Sequence, residues 1–400
     1  MPKVLVLGGN FGGLTAALSI KDQLESDVDV TVISASDQFL FNPSLIWMPF
    51  GKRTTEQITF PLEPTYTDAG VEFVHAAADT IDPERKKVIA GGKEYDYDYL
   101  VIATGYRNDF DVVEGLGPGG YANTITTLGD AQQAAEAWKH YLKHPGDMVV
   151  AATQGAGCFG AAYEFLFNAS YQLKRAGLKG KVKVTYVTSE PFLGHFGIGG
   201  MPGGETMLKM FLKKEKIDYV TNMALEYVDK DHVKLADGRE IPYKYAMIVP
   251  PFLGQDVIRD TPGIGDAKGY APVRDTYQTK KHDEVYAVGI AAGIPLPWTT
   301  PTPTGMPKTG FPTEKMAHVA AHNIVSQIKG KRPTEEKAFG DIPAVCVMDA
   351  GNNGVMILGT GMLPPRKAAV MIPGPQNHAF KLAFEKYYLW KMRHGHVNLP

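Results

Sequence analysis

Val4-Leu5-Val6-Leu7-Gly8-Gly9-Asn10-Phe11-Gly12-Gly13 sets the pattern: four apolar residues, a glycine-rich turn, then helical spacing from Leu14 to Leu24. A short apolar run ending in glycines reads as a buried strand, and the periodic stretch after it as a helix. Glycines at such a turn let backbone N–H groups and the helix start approach a pyrophosphate, because no Cβ stands in the way. Asn10 takes the place of the middle glycine in the G-x-G-x-x-G pattern. The loop alone would also serve as a bare strand-to-helix turn.

The pattern returns. Met148 to Ala152 lead into Gly155-Ala156-Gly157-Cys158-Phe159-Gly160 and a helical stretch from Ala161 to Leu173, and Gly155 follows Gly8 by 147 positions. Ile89-Ala90-Gly91-Gly92-Lys93-Glu94 is echoed by Leu235-Ala236-Asp237-Gly238-Arg239-Glu240, shifted by 146 positions. Each reads as a hairpin that returns into an apolar strand, Leu100 to Ala103 or Ala246 to Val249. Two signals repeating at nearly one spacing predict two homologous dinucleotide-binding halves. Val285 to Gly289 read as a late strand and Thr313 to Ile328 as a helix, which makes the first half discontinuous. The expected architecture is α/β, with two Rossmann-like domains and a C-terminal membrane-associating segment. Its parts are 1–115 with 275–330, then 116–274 carrying Cys158, then 331–400 carrying Cys346.

Composition narrows the partners. The 400 residues are 44% hydrophobic and 21% charged with a formal net charge of -2, so no basic stripe for nucleic acid is expected. The first residues run straight into a strand and lack the pattern of a signal peptide. No stretch approaches the ~18 apolar residues of a spanning helix, so membrane attachment is expected from one side only. Two cysteines exclude a disulfide scaffold and leave inert thiols or a dedicated redox pair. No metal is implied, and a homo-oligomer is left open.

Beyond the first loop, Ser34 and nearby Asp37 end the second strand where an acid usually meets the ribose. Tyr99 to Gly105 is a strand ending in Ala103-Thr104-Gly105, a signature seen in two-domain FAD oxidoreductases. Cys158 lies just before a helix, whose N-terminal dipole is expected to favour a thiolate.

Taken together, Gly8 to Gly13, Gly157-Cys158-Phe159-Gly160, Gly194-His195-Phe196-Gly197, Pro307-Lys308-Thr309-Gly310, Cys346 and Phe384-Glu385-Lys386-Tyr387 resemble the sulfide:quinone oxidoreductases. The resemblance implies FAD held by Gly8, Gly9, Asn10, Phe11, Gly12, Ser34, Ala35, Asn42, Ala78, Thr104, Gly105, Gly289, Gly310 and Lys381. It implies a redox pair, Cys158 and Cys346, that sulfide attacks: Cys158 keeps the added sulfur and Cys346 delivers two electrons to the flavin. Glu164 and His195 are the candidates for proton movement, and Val345 and Phe384 would sandwich a quinone ring. The chain departs from the family pattern at Thr126, where many members have a third cysteine, and at Ile290, where the wider superfamily has an acid.

From His378 to Arg393 aromatic residues alternate with Lys381, Lys386, Lys391 and Arg393, a mixture suited to the bilayer interface, with cations expected to meet anionic lipid. Gly361 to Pro365 and Ala368 to Pro373 read as an apolar loop just before it. The implied partners are hydrogen sulfide, a membrane quinone and a bilayer surface, with a peripheral, monotopic place on the cell membrane. Cutting the chain before about residue 376 is expected to leave a soluble protein that sulfide still reduces. Three other readings share the plan: a type II NADH:quinone oxidoreductase, for which Glu190 leaves some NAD capacity, the flavoprotein subunit of a cytochrome-linked sulfide dehydrogenase, and a non-catalytic membrane flavin redox sensor.

Overall fold

In the computed structural model, which describes residues 1–399, Lys3–Leu7 (β1) enters the first glycine loop and Phe11–Leu24 (α1) leaves it. Asp29–Ser34 (β2), Glu72–His75 (β3) and Tyr99–Ile102 (β4) join β1 in a parallel sheet. Val4, Leu5, Val6 and Leu7 are all buried, which is why β1 is apolar without alternation. The turn is too tight for side chains: a Cβ on Gly13 would meet the Gly8 carbonyl oxygen at 1.7 Å.

The second half repeats the first. Met148–Ala152 (β5), Phe159–Arg175 (α2), Val184–Thr188 (β6), Ile217–Val220 (β7) and Tyr245–Val249 (β8) form a second parallel sheet. The chain then returns to the first sheet with Val285–Ala287 (β9), which pairs with β4. The orders are β9-β4-β1-β2-β3 and β8-β5-β6-β7, so each glycine-loop strand has the same neighbours. Both sequence-read hairpins form, Lys87–Ala90 with Lys93–Asp96 and His232–Leu235 with Glu240–Pro242.

Gly310–Ile328 (α3) packs along α1, its first residue so close to Phe11 that a Cβ there would meet the ring at 2.7 Å. The last segment is a three-stranded antiparallel sheet, Ala344–Asp349 (β10), Gly354–Gly359 (β11) and Ala369–Pro373 (β12), followed by the helix Gln376–Arg393 (α4). The second part of the stretch read as an apolar loop is therefore an edge strand, β12, from Ala369 to Pro373. Val370 and Ile372 point outward there while Met371 packs inward, the alternation of a one-sided sheet.

The helix α4 is built inside out. Lys381, Glu385 and Lys391 are buried, whereas Phe380 and Trp390 are 47% and 46% exposed. Each inward charge has a partner on a different element: Lys381 with Glu164 of α2, Glu385 with Arg53 at 2.9 Å, Lys391 with Glu314 of α3 at 2.6 Å. Ser44 adds a hydroxyl donor to Glu385. Thus Lys381 and Lys391 do not reach toward lipid headgroups, and of the four cations only Lys386 and Arg393 are exposed. Between the ion pairs, Tyr388 fills the gap against Phe11, Phe39 and Phe41, joining α4 to the mouth of the first glycine loop.

Candidate functional site

At the first loop the helix start is left open. Asn10 precedes α1 without capping it, because its amide donates to the Leu40 carbonyl at 3.1 Å and to Asn42 at 3.3 Å. Unpaired first-turn N–H groups are what an anion needs. Two buried oxygens converge from neighbouring strand ends without a partner, Asn10 Oδ1 after β1 and Thr104 Oγ1 after β4. Gly105 beside them has a φ of +69° and nothing within 4 Å of where a Cβ would stand. Orphaned polar atoms at the carboxyl ends of parallel strands, beside a free helix start, fit the pyrophosphate and ribityl parts of FAD. Ser34 is buried and donates its hydroxyl to the Ser36 carbonyl at 2.7 Å, which leaves it an acceptor toward a ribose. Ala35 borders it, its carbonyl 3.2 Å from His75, and Ala78 begins the strand that pairs with Ala90. Gly289 has a φ of +67° and packs on Thr313, near the start of α3 and Gly310.

The second loop is closed by the chain itself. Gly155 and Gly157 donate their N–H groups to the carbonyls of Pro303, at 2.7 Å, and Pro250, at 3.1 Å. A Cβ on Gly305 would meet the Ala156 carbonyl oxygen at 2.2 Å, and one on Gly157 would meet the Phe252 ring at 2.2 Å. A dinucleotide pyrophosphate therefore finds its donors taken and its approach filled. Glu190, which the sequence leaves as a ribose ligand for NAD, is fully buried instead. It accepts from Tyr163 and Thr188 at 2.9 Å each and from the Phe196 N–H at 2.7 Å, and burial pushes its carboxyl up to about 7.

What this loop does present is Cys158. The residue stands at the N-terminus of α2 with no side-chain cap, and the N–H groups of Ala161 and Gly160 face its sulfur. Burial nevertheless raises its thiol above the ordinary value, outweighing those donors and the Lys381 ammonium, with Glu164 adding to the rise. Helix-terminal stabilisation acts in the expected direction but is smaller than desolvation. Cys346 lies mid-strand in β10. The residue is exposed, which governs access, while the protein mass around it disfavours a charge on its sulfur. Burial pushes this thiol up to about 12, Glu164 and Cys158 raise it further and Lys381 opposes them. Two thiols within each other's field, both disfavoured as thiolates, are most stable in uncharged, bridged or protonated forms. Neither is in a disulfide here.

Glu164 and Lys381 bind the two cysteines' elements together. Glu164 Oε1 accepts from Lys381 and from the Asp349 N–H at 2.6 Å, joining α2, α4 and β10 at one carboxylate. Burial raises Glu164 although the Lys381 charge and hydrogen bond pull it down. Asp349 and Trp47, not singled out from the sequence, belong to the same cluster. The Trp47 indole donates to Asp349 at 2.8 Å and Lys381 sits 5.3 Å from the Trp47 ring. The one available signal was an acid ending the apolar strand Val345 to Asp349. His195, by contrast, is held elsewhere. Its ring lies between Phe192 and Trp298, at 5.3 and 5.6 Å, its Nδ1 accepts from Gly197, and burial favours its neutral form. Among the described residues no hydrogen bond joins it to either cysteine. Val345 and Phe384 are both exposed, on β10 and α4, and Phe384 stacks 6.2 Å from Phe380.

The model of the pyridine nucleotide-disulphide oxidoreductase family matches residues 2–310. The chain is 35% identical over 407 residues to the sulfide-quinone reductase of Aquifex aeolicus (strain VF5), covering 98% of this chain and 92% of that one. To a type II NADH:quinone oxidoreductase of Staphylococcus saprophyticus it is 24% identical, over 92% of each chain. It superposes on the X-ray structure of the sulfide:quinone oxidoreductase from Aquifex aeolicus with a TM-score of 0.94 and 34% identity, covering 99% of this chain and 92% of that one. With a fold of this likeness and a first loop that fits FAD, the chain belongs to the sulfide-quinone reductases within the pyridine nucleotide-disulphide oxidoreductase family.

Proposed function

We propose that this chain oxidises hydrogen sulfide at Cys158 and Cys346 and sends the electrons through FAD to a membrane quinone. The observation that carries the reading is the meeting of both cysteines' elements at the Glu164–Lys381 pair. Bound FAD supplies the capacity to take two electrons from a sulfur donor and release them to a quinone. The residues supply the rest. HS⁻ attacks a sulfur of the bridged pair; the S–S bond breaks, Cys158 keeps the added sulfur and Cys346 departs as a thiolate. Lys381 offsets that negative charge, and Glu164 holds the proton that sulfide gives up. The balance is HS⁻ → S⁰ + H⁺ + 2e⁻ on one side and quinone + 2e⁻ + 2H⁺ → quinol on the other.

Anaerobic addition of sulfide to the purified protein should bleach its flavin within seconds, whereas NADH should not, because the second loop's donors are already bonded to Pro303 and Pro250. Rapid bleaching by NADH with none by sulfide would establish the type II NADH:quinone reading instead.

The quinone comes from lipid, and one surface suits it. Val345, Val370, Ile372, Phe380, Phe384 and Trp390 are the large exposed apolar residues of β10, β12 and α4. Among the described residues no helix is long and apolar enough to cross a membrane. Together they would enter the interface from one side, on the cell membrane. Replacing Phe380 and Trp390 together by serine should remove roughly 3 kcal/mol of burial and weaken vesicle binding on the order of a hundredfold. Bleaching by sulfide should stay unchanged, and co-sedimentation with vesicles at the wild-type level would exclude this face.

A further inference from the structure

Quinone reduction consumes two protons while sulfide oxidation releases one, so each turnover must draw a proton from outside. The structure offers a titratable group between the buried cluster and the surface. His378, in the first turn of α4, places Nδ1 2.5 Å from Asp349 Oδ1, and its side chain keeps 26% exposure. Among the described residues its Nε2 has no protein hydrogen-bond partner. Asp349 is buried and held in place by three donors: His378, the Trp47 indole at 2.8 Å and the Gly351 N–H at 3.1 Å to Oδ2. Against the desolvation that would raise it, the bonds from Trp47 and His378 and the charge of Lys381 keep its carboxyl below the usual range. The pair is an imidazole oriented by an ionised acid, open to solvent on one side.

Its direction follows from the elements. On β10, Asp349 shares a face with Val347 and Val345 by strand alternation. On α4, Lys381 lies between His378 and Phe384, about one turn from each. Asp349 donates its N–H to Glu164, whose other partner is Lys381. His378 is thus joined to Asp349, Asp349 through its backbone N–H to Glu164, and Glu164 to Lys381, one turn of α4 before Phe384. Lys52 is the other charge on Asp349, reaching the Gly351 carbonyl at 3.4 Å from the far side.

We propose that His378, oriented by Asp349, is the point at which protons enter for quinone reduction; this rests on the quinone reading above. Two electrons move to the quinone ring, its two oxygens take two protons, and His378 is reprotonated by solvent. The test separates the half-reactions of the intact protein. His378→Ala should be bleached by sulfide within twofold of the wild-type rate. Reoxidation of its reduced flavin by a short-chain ubiquinone should fall at least tenfold, with unchanged quinone affinity and FAD content. Millimolar imidazole should restore at least half of the lost rate, which a packing defect would not allow. Reoxidation within twofold of wild type, equal loss in both half-reactions, or no response to imidazole would each overturn the assignment. A wild-type protein that sulfide bleaches and no quinone reoxidises would instead remove the functional reading beneath it.

Discussion

Replacement of Cys346 by serine is expected to leave a yellow protein that sulfide reduces at less than a tenth of the wild-type rate. Sulfide is a nucleophile and needs an electrophilic sulfur, which a bridge between Cys158 and Cys346 supplies and a lone thiol does not. The variant loses both that bridge and the sulfur that passes electrons onward. Serine is nearly isosteric, and mid-strand β10 is held by pairing with β11, so folding and FAD content should be unchanged. Cys158→Ser should lose turnover as well, yet it keeps Cys346. Because burial pushes that thiol up to about 12, its thiolate-to-flavin absorption should be faint at pH 7 and grow as the pH is raised to 10. Stopped-flow reduction decides the matter: retention of more than about a tenth of the rate, a barrier change under ~1.4 kcal/mol, would end the paired-cysteine mechanism.

A second large effect is expected from truncation before residue 376, and it reverses the expectation from sequence. Without α4, Glu164, Arg53 and Glu314 each lose a partner inside the protein, and Phe11, Phe39 and Phe41 lose the Tyr388 ring. Stripping one partner from a buried pair costs about 3–5 kcal/mol. Three such losses reach the whole stability of a typical domain, about 5–15 kcal/mol. The truncated chain should therefore accumulate as insoluble or protease-sensitive material without FAD. A soluble, monodisperse truncated protein that binds FAD would show that the inward charges of α4 are dispensable.

The two parallel sheets were legible because their signals are local and forced. Gly8 and Gly13 must be glycine for the turn to close, and a like demand recurs at Gly155, with a φ of +73°, and at Gly157 against Phe252, so spacing alone reveals the duplication. Cys158 and Cys346 stood out because only two cysteines exist. What stayed hidden depends on partners distant in the chain. Lys381 and Lys391 look like surface cations until Glu164 and Glu314, 217 and 77 positions away, are seen against them. A helix that turns Lys381, Glu385 and Lys391 inward and Phe380, Phe384 and Trp390 outward has no apolar stripe to read, so its orientation follows only from its neighbours. Pro303 to Gly305 gave no hint of lying over the second glycine loop, since Pro- and Gly-rich chain reads as a surface connection. Strand β12 was obscured by Pro364, Pro365 and Pro373 around it. Asp349 and His378 meet only because α4 folds back on β10.

The covered second loop also bears on how electron supply is controlled in the cell. A flavoprotein with an open nicotinamide cradle shares a common exchange point with the NADH pool, and its flow rises and falls with that pool's redox state. Here the cradle is filled by Pro303, Gly305 and Phe252, and Glu190 is turned inward. On the reading proposed above, sulfide and quinone are then insulated from nicotinamide: a reduced NADH pool does not compete for the flavin, and NAD⁺ does not drain it. Sulfide removal is governed only by how much sulfide arrives and how much oxidised quinone the membrane holds.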